Sequence, residues 1–360
     1  MKGILRRAAA LVGACLTLWT VTAASGAEFG GSEALRGIVL QQLSAQLPPP
    51  LSPAAMFTLS QSPYLAAAVS FSPAENNESS TILQNAAPSL SPVPQVQLEK
   101  LQFRDNGVPS QTVKITNPKG YTAVGSVYIK NSSSKTLDTA QLENCTLPSP
   151  DLNSPQVLII HTHGSEAYTL PKGESYPSTG NYRTSDTSCS VVRIGDEIAA
   201  VLSSYGISVL HDRTLYDDPL YNDAYSRSEA GAAAYLEKYP SLYYIIDIHR
   251  DAVEDAKGNQ YKLVAEEDAT IAQMSFVIGT NHDHWQDNLS LAVAVAENVQ
   301  GDYPTAMRPI ILRNSRYNQH LTAGSLLVEV GAAGNSLDEA LHTGRIFGAA
   351  LAETILRAKK

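Results

Sequence analysis

From residue 155 onward, short apolar runs alternate with longer segments in which apolar residues recur every three or four positions. Uncharged apolar runs are typical of strands buried on both faces of a sheet, and the longer period is typical of amphipathic helices. The predicted strands are 157–160, 207–210, 242–248, 310–312 and 326–330, with a hairpin over 261–264 and 274–278. The predicted helices are 191–205, 225–238, 289–299 and 337–357. This alternation predicts an α/β fold with a mostly parallel central sheet covered by helices.

The segments that precede this region have different patterns. Residues 98–150 contain two short alternating stretches, 112–115 and 126–129, bounded by turn signals, which predict a small β-rich module. Residues 28–97 are rich in Pro and Ser, carry few charges and show no sustained period, as is typical of a disordered linker. The remaining residues, 151–360, are predicted to form the main domain.

The first 27 residues have the pattern of an export signal. Basic residues precede an apolar stretch over 8–23, and small residues follow at 25–27. The stretch is shorter than the roughly 20 residues that span a bilayer, so a cleaved signal peptide is the first interpretation and an uncleaved membrane anchor is the alternative. Either interpretation places the rest of the chain outside the cytoplasm.

The net charge bears on which macromolecules the chain can bind, and the cysteine content bears on whether it forms a disulfide. The net charge of −9 argues against a nucleic-acid partner, because phosphate binding requires a basic face. Beyond the predicted signal the chain has two cysteines, Cys145 and Cys189. A disulfide between them is compatible with export, and free thiols or loose zinc contacts are the alternatives.

Two histidines, a serine and a glutamate follow the first predicted strand, in the sequence HTHGSEAY at 161–168. Ligand-binding groups of open α/β sheets collect where strands end, and imidazole and carboxylate are zinc ligands. Since residues two apart on a regular strand share a face, both His161 and His163 could bind a metal. We favour one of them as the ligand, with the other lining the cleft.

A third histidine ends a later predicted strand, within DIHRDA at 247–252. His249 lies among charged residues there, which is unusual for a histidine of a core. Asp247 or Asp251 could hold the tautomer of its imidazole, as metal-bound histidines require. Arg250 could instead pair with a carboxylate, which would give this cluster a structural role.

The strand over 326–330 carries Glu329 between two valines. An unpaired buried acid is costly, and burial raises its pKa into the range that suits a general acid or base. A salt bridge to Arg250 is the structural alternative. If three strand ends meet at one edge of the sheet, a zinc ion there would activate water for attack on an amide, with Glu329 accepting the proton.

Seven motifs, in this order, resemble the stage II sporulation protein P family. They are HTHGSEAY at 161–168, VVRIGDEIAAVL at 191–202, SVLHDRT at 208–214, YNDAYSRS at 221–228, DIHRDA at 247–252, YNQHL at 317–321 and LLVEVGAAGNSLDEA at 326–340. The resemblance covers about 155–360 throughout and extends less distinctly over 98–147.

The resemblance implies a zinc-dependent peptidoglycan hydrolase with a fold related to N-acetylmuramoyl-L-alanine amidases. Such an enzyme cleaves the amide between the glycan and the stem peptide, and members of the family also cut peptide cross-links. The resemblance further implies action at the cell-wall side of the mother-cell membrane during forespore engulfment. The implied partner is the lytic transglycosylase stage II sporulation protein D.

Carried over to this sequence, the histidine of HTHGSE and His249 would bind the metal, and Glu329 would be the acid/base. We prefer His161 to His163 as the first ligand. The amidase fold usually supplies a glutamate at the start of its first helix, but here Glu197 lies nearly two turns in. Glu166 is therefore the expected third ligand. Ser165 is expected to support it, with Asp247, Arg250 and Asp251 near the metal or substrate.

Two other functions compete with the amidase. A catalytically silent protein of the same fold could bind the cell wall or act as a scaffold, but such a protein has no need for two histidines and an acid in one site. A zinc peptidase that acts on proteins would use the same chemistry.

Overall fold

The computed structural model of the chain describes residues 98–142 and 146–357. The predicted signal or anchor, the linker and Cys145 lie outside these residues, so the alternatives for Cys145 and Cys189, a disulfide, free thiols or loose zinc contacts, stay open. No helix within the described ranges is long and apolar enough to cross a membrane.

Strands and helices alternate along most of the described chain. The strands are β1 (Ser110–Gln111), β2 (Thr122–Val124), β3 (Val127–Asn131), β4 (Val157–Ile160), β5 (Ser178–Gly180), β6 (Arg183–Thr184), β7 (Val209–His211), β8 (Tyr244–Asp251), β9 (Lys262–Leu263), β10 (Met274–Gly279), β11 (Ile310–Arg313) and β12 (Gly324–Ala332). The α-helices are α1 (Thr139–Leu142), α2 (Val191–Ser204), α3 (Ala224–Lys238), α4 (Trp285–Asp302) and α5 (Leu337–Arg357). Short 3-10 helices span Tyr221–Asp223 and Gln319–Leu321.

The central sheet has eight strands in the order β2-β3-β11-β10-β12-β8-β4-β7. The pairs β2–β3 and β10–β12 are antiparallel, and the other neighbours are parallel. The prediction of an α/β fold with a mostly parallel sheet is therefore confirmed. Strands β2 and β3, which come from the region predicted as a small β-rich module, extend one edge of this sheet.

The predicted hairpin between 261–264 and 274–278 is wrong. β9 pairs with β1 in a parallel two-stranded sheet, and a single antiparallel bridge, Val264↔Ala272, joins the first segment to the residues that precede the second. Strand β10 pairs with β11 on one edge and β12 on the other. Since a strand has two edges, β10 has none left for β9. Alternation along the sequence indicates strands but does not name their partners.

Helices cover the sheet on both faces, and β4 shows how the sequence directs this. Val157 and Ile159 belong to the main core, which includes residues of α2, α4 and α5. Leu158 and Ile160 point to the other face and pack with Tyr235 of α3 in a smaller cluster. Because successive side chains of a strand alternate between faces, a run of four apolar residues is what two covered faces require.

Helix α2 illustrates how local sequence sets an element's ends. The Ser190 side chain accepts a hydrogen bond from the backbone N–H of Val192, which caps the first turn. The helix stops just before Gly206, whose φ of 80° lies in the left-handed region that favours glycine. The predicted helix over 191–205 therefore differs from the observed one by a single residue at its end.

Candidate active site

Alternate residues of neighbouring strands form the floor of a cleft on the sheet face that carries α3. Even-numbered residues of β8 and β12, such as Ile248 and Val328, belong to the main core, so the odd-numbered residues point the opposite way. The Cα of Glu329 pairs with that of His249, which places these side chains on adjacent strands roughly 4.8 Å apart. The cleft encloses about 380 Å³.

The segment that follows β4 turns immediately, and this separates the two histidines of the HTH motif. Residues 162–165 form a turn rather than a continued strand. His161 keeps the alternation of β4 and points toward α2, where its ring is fully buried against Gly195. His163, which comes after the turn begins, lines the cleft and is 9 % exposed. The premise that both side chains share a face therefore does not hold.

Both ring nitrogens of His161 already have partners. Nδ1 lies 3.3 Å from the carbonyl oxygen of Ile248, and Nε2 lies 2.8 Å from Nε2 of His211. Burial, together with the charge of His211, lowers the pKa of His161 to about 3. The preference for His161 does not fit this geometry, because the fold directs His161 away from the cleft, and His163 is the histidine of the motif that reaches it.

The structure brings His163, Glu166 and His249 together, with their ligand atoms all within 4.8 Å of one another. Nδ1 of His249 lies 3.3 Å from Oε2 of Glu166, and Nδ1 of His163 lies 3.7 Å from Oε1. Two ligands of a tetrahedral zinc ion are about 3.4 Å apart, since each lies about 2.0–2.1 Å from the metal. The donor types and their spacing thus fit zinc.

Buried charge makes this cluster attractive to a cation. Burial alone would lower the pKa of His249, but the carboxylates of Asp247 and Glu166 raise it well above its ordinary value. Burial would raise the pKa of Glu166, but its contacts with His163 and His249 and the charge of Arg250 hold it well below the usual range. Two ionised carboxylates therefore flank one imidazole, and a metal ion would balance them.

Glu329 lies beside this cluster and has one carboxyl oxygen without a hydrogen-bond partner among the described residues. Its side chain is partly exposed to the cleft, but this oxygen, Oε2, is buried. Burial raises the pKa of Glu329 to about 8; the charge of His249 opposes this shift, and that of Glu166 adds to it. The salt bridge to Arg250 that would have given Glu329 a structural role is not formed in the described chain.

Asp247 occupies the supporting position that the sequence suggested. Oδ1 lies 3.1 Å from Nε2 of His249 and accepts a hydrogen bond of 2.8 Å from the backbone N–H of Thr162. The Thr162 hydroxyl donates to Oδ2 at 2.6 Å. Asp251, the alternative, instead pairs with Arg308 at 2.7 Å. Asp247, and not Asp251, is therefore the carboxylate that lies beside Nε2 of His249, at ion-pair distance and without a well-aligned hydrogen bond.

Ser165 and Arg250 hold the backbone around the cluster. The hydroxyl and backbone N–H of Ser165 both donate to the carboxylate of Asp217. This serine therefore stabilises the turn through Asp217 and makes no hydrogen bond to the candidate ligands among the described residues. The guanidinium of Arg250 donates to the carbonyl oxygens of Ala167 and Tyr182, at 3.1 and 3.0 Å. The role expected of Ser165, support of Glu166 at the metal, thus becomes an indirect one through the turn.

Glu197, which lies inside the first long helix, belongs to a different network. It is fully buried and pairs with Arg193 at 2.7 Å and with Arg345 at 2.5 Å. Its two oxygens are therefore occupied by arginines. This arrangement agrees with the choice of Glu166 as the carboxylate of the cluster.

Two tyrosines and an arginine of the cleft wall were missed at the level of sequence. The ring of His163 stacks on Tyr221 at 4.4 Å and meets Tyr225 edge-on at 5.5 Å. The guanidinium of Arg183 lies 3.9 Å from the centre of the Tyr221 ring. The motif YNDAYSRS contains both tyrosines four residues apart, and this helical spacing was the signal that both could face one wall.

The sequence of this chain matches a known protein family and a related bacterial protein. Residues 76–352 match the family described as Stage II sporulation protein P (SpoIIP). Stage II sporulation protein P of Bacillus subtilis (strain 168) is 29% identical over 201 residues, which are 51% of this chain and 47% of that protein. The match thus spans about half the length of that relative.

Two solved structures are similar at low sequence identity. N-acetylmuramoyl-L-alanine amidase AmiC2 of Nostoc punctiforme is 17% identical, with a TM-score of 0.31 over 57% of this chain and 94% of that chain. The N-acetylmuramoyl-L-alanine amidase from Clostridium difficile 630 is also 17% identical, with a TM-score of 0.33 over 57% and 95%. On the strength of the match over residues 76–352, the chain belongs to the stage II sporulation protein P family.

Proposed function

We propose that this protein is a zinc-dependent peptidoglycan hydrolase that cleaves the amide bond between the glycan and the stem peptide. The observation that carries the proposal is the buried cluster of His163, Glu166 and His249 with an unpartnered carboxylate, Glu329, beside it in a cleft. Membership of the stage II sporulation protein P family supports the choice of substrate.

His163, Glu166 and His249 would hold the metal. A zinc ion in this position supplies a Lewis acid, which polarises the carbonyl of the scissile amide and acidifies water. The Asp247 carboxylate lies 3.1 Å from Nε2 of His249 and would support the ring from that side, while Nδ1 is directed at Glu166. The carboxylates of Glu166 and Asp247 provide the negative charge that favours a divalent cation there.

Glu329 moves the proton in this mechanism. Its Oε2 accepts a proton from the attacking water and then donates it to the nitrogen of the leaving amine. Burial raises the pKa of Glu329 to about 8 in the metal-free protein, and the charge of a bound cation would lower this pKa toward neutrality, where a carboxyl can both accept and donate a proton. No hydrogen bond competes for Oε2 within the described part of the chain, so this oxygen is free for the transfer.

The same feature favours an enzyme over a silent wall-binding scaffold. Burying a carboxyl oxygen without a partner costs about 1–3 kcal/mol. A binding protein gains nothing from that cost, whereas a hydrolase needs the free oxygen. Functional sites are where such costs are typically retained.

Family membership extends the proposal to the biological setting. We place the activity at the cell-wall side of the mother-cell membrane during forespore engulfment, together with a lytic transglycosylase resembling stage II sporulation protein D. Cleavage of peptide cross-links is a second reaction that the same site would support, because both substrates present an amide to the metal and the acid/base.

The test is hydrolysis of purified peptidoglycan by the full chain, after chelation and after return of zinc. We expect release of intact stem peptides with zinc and none after chelation, measured by mass spectrometry of the soluble products. His249→Ala should abolish release and weaken zinc binding. Glu329→Gln should lower the rate by about 10²–10⁴-fold, the usual range for loss of a general acid/base, and leave zinc bound.

Two results would contradict the proposal. A chelated protein that releases stem peptides at the full rate would remove the metal from the mechanism. A Glu329→Gln variant as active as the wild type would remove Glu329. Substitution of the exposed Glu353 by glutamine is the matched control, since it makes the same chemical change on the surface of α5.

A further inference from the structure

A second cluster of ionisable side chains lies on the opposite face of the sheet, between β4, β7 and α2. His161 is fully buried, and its Nε2 lies 2.8 Å from Nε2 of His211. Nδ1 of His211 lies 3.1 Å from Oδ1 of Asp196, which also pairs with Arg213. At its other end the chain of contacts reaches the backbone of β8, where Nδ1 of His161 meets the carbonyl oxygen of Ile248 at 3.3 Å.

The position of Ile248 explains why a side chain is needed there. The pairing between β4 and β8 ends at Ile160↔Asp247, because β4 stops and the chain turns. Beyond this point, the edge of β8 that faces β4 has lost its partner strand, and a buried carbonyl without a donor is costly. The ring of His161, the residue directly after β4, takes the place of the missing backbone donor.

The direction of each hydrogen bond follows from its partner. A carbonyl oxygen accepts, so Nδ1 of His161 carries a hydrogen and donates to Ile248. One of the two facing Nε2 atoms must donate to the other. A carboxylate also accepts, so Nδ1 of His211 donates to Asp196, and Nε2 of His161, whose hydrogen is on Nδ1, accepts from Nε2 of His211.

We infer that His161 is a positioning residue, which holds the Ile248 carbonyl through Nδ1–H and thereby fixes the part of β8 that presents His249 to the cleft. The functional consequence rests on the proposed zinc hydrolase, whereas the hydrogen-bond scheme does not. His249 follows Ile248 directly and points to the other face. A shift of the backbone at Ile248 would therefore move the His249 ring relative to Glu166.

Gly195 of α2 makes room for this arrangement. A Cβ at this position would lie 2.6 Å from Nε2 of His161 and 2.5 Å from Nε2 of His211. Distances under 3.0 Å require something to move. The helix therefore carries its glycine where the two imidazoles approach each other, which indicates that the contact between the rings is a built feature of the fold.

The first experiment measures the tautomer directly. The full chain is labelled with ¹⁵N-histidine, and NMR at pH 7 locates the ring protons; the signals that disappear in His161→Asn assign that ring. We expect His161 to be neutral with its proton on Nδ1. A neutral His161 ring with its proton on Nε2 would overturn the inference.

The second experiment compares two substitutions that differ in one donor. In His161→Asn the side-chain amide can still donate from about the place of Nδ1, whereas His161→Leu keeps apolar bulk without a donor. We expect the asparagine variant to keep zinc affinity and kcat within about threefold of the wild type. The leucine variant should bind zinc about 10–100-fold more weakly, as is typical when a support of a metal ligand is lost.

Thermal stability of both variants distinguishes positioning from packing. If both lose zinc affinity equally, in step with their Tm, His161 is a packing residue and the inference fails. If the wild-type protein binds no zinc and hydrolyses nothing, the proposed function fails, and the NMR measurement still decides the hydrogen-bond scheme. The tautomer is read from the wild-type protein, and the folded His161→Asn variant serves only to assign the signals.

Discussion

Replacing Glu329 with glutamine is expected to stabilise the metal-free protein near pH 8 and to change little near pH 4.5. Burial, opposed by the charge of His249 and reinforced by that of Glu166, raises the pKa of Glu329 from 4.5 to about 8 in the folded state. Between these pH values the unfolded chain releases a proton that the folded chain retains. The wild type therefore loses stability as the pH rises from 4.5 to 8, and glutamine, which cannot ionise, removes that loss.

The magnitude follows from the two pKa values. At about 1.4 kcal/mol per pH unit, the interval from 4.5 to about 8 corresponds to roughly 5 kcal/mol. The Glu329 side chain is partly exposed to the cleft, so water screens part of this energy. We therefore expect the free energy of unfolding of the variant, relative to the wild type, to increase by roughly 2–5 kcal/mol across this interval.

Urea unfolding at a series of pH values measures this difference. The chelated wild type and Glu329→Gln are followed by tryptophan fluorescence, which reports on Trp285 in the core. Glu353→Gln, on the exposed surface of α5, should stay within about 0.5 kcal/mol of the wild type at every pH. If the curves of the wild type and Glu329→Gln run parallel from pH 4.5 to 8, the burial of an unpartnered carboxyl is refuted.

Three further substitutions test other parts of the structure. His163→Ala should weaken zinc binding by about 100-fold or more, since it removes one of the three proposed protein ligands. Calorimetric titration measures the affinity, and an unchanged affinity would show that His163 is not a zinc ligand. Glu197→Gln should destabilise the fold by about 3–5 kcal/mol, because two arginines lose their buried partner, and urea unfolding measures the loss. Gly279→Ala should cost about 1–3 kcal/mol, visible as a lower Tm, because its Cβ would lie 2.5 Å from the carbonyl oxygen of Ser315; an unchanged Tm would show that this loop yields freely.

Local pattern was sufficient for the elements of the main domain. The strand over 157–160 and the helix over 337–357 have the predicted bounds. Helix α4 begins earlier than predicted, at Trp285 rather than at residue 289, and ends later, at Asp302. Periodicity locates the middle of a helix well, but its ends depend on capping and on neighbours such as the core around Trp285.

Strand ends also indicated most of the chemistry. His249 and Glu329 were chosen from the sequence because each lies at the end of an apolar strand, and parallel strands bring such ends to one side of a sheet; Glu166 was chosen through the family resemblance, because the first helix lacks a glutamate at its start. The structure places all three in or beside one cluster. What the sequence could not supply was the partner of each strand, as the wrong hairpin at 261–278 shows.

The choice between His161 and His163 could not be made from the sequence, because it depends on where β4 ends. If β4 had continued past residue 163, both side chains would lie on one face of the sheet. Because residues 162–165 form a turn instead, the ring of His161 lies under α2 and that of His163 lies in the cleft. Spacing along the chain thus identifies residues capable of the chemistry. Which of them meet is set by strand register and by the packing of a helix against the far face of the sheet, since those contacts join residues far apart in the sequence.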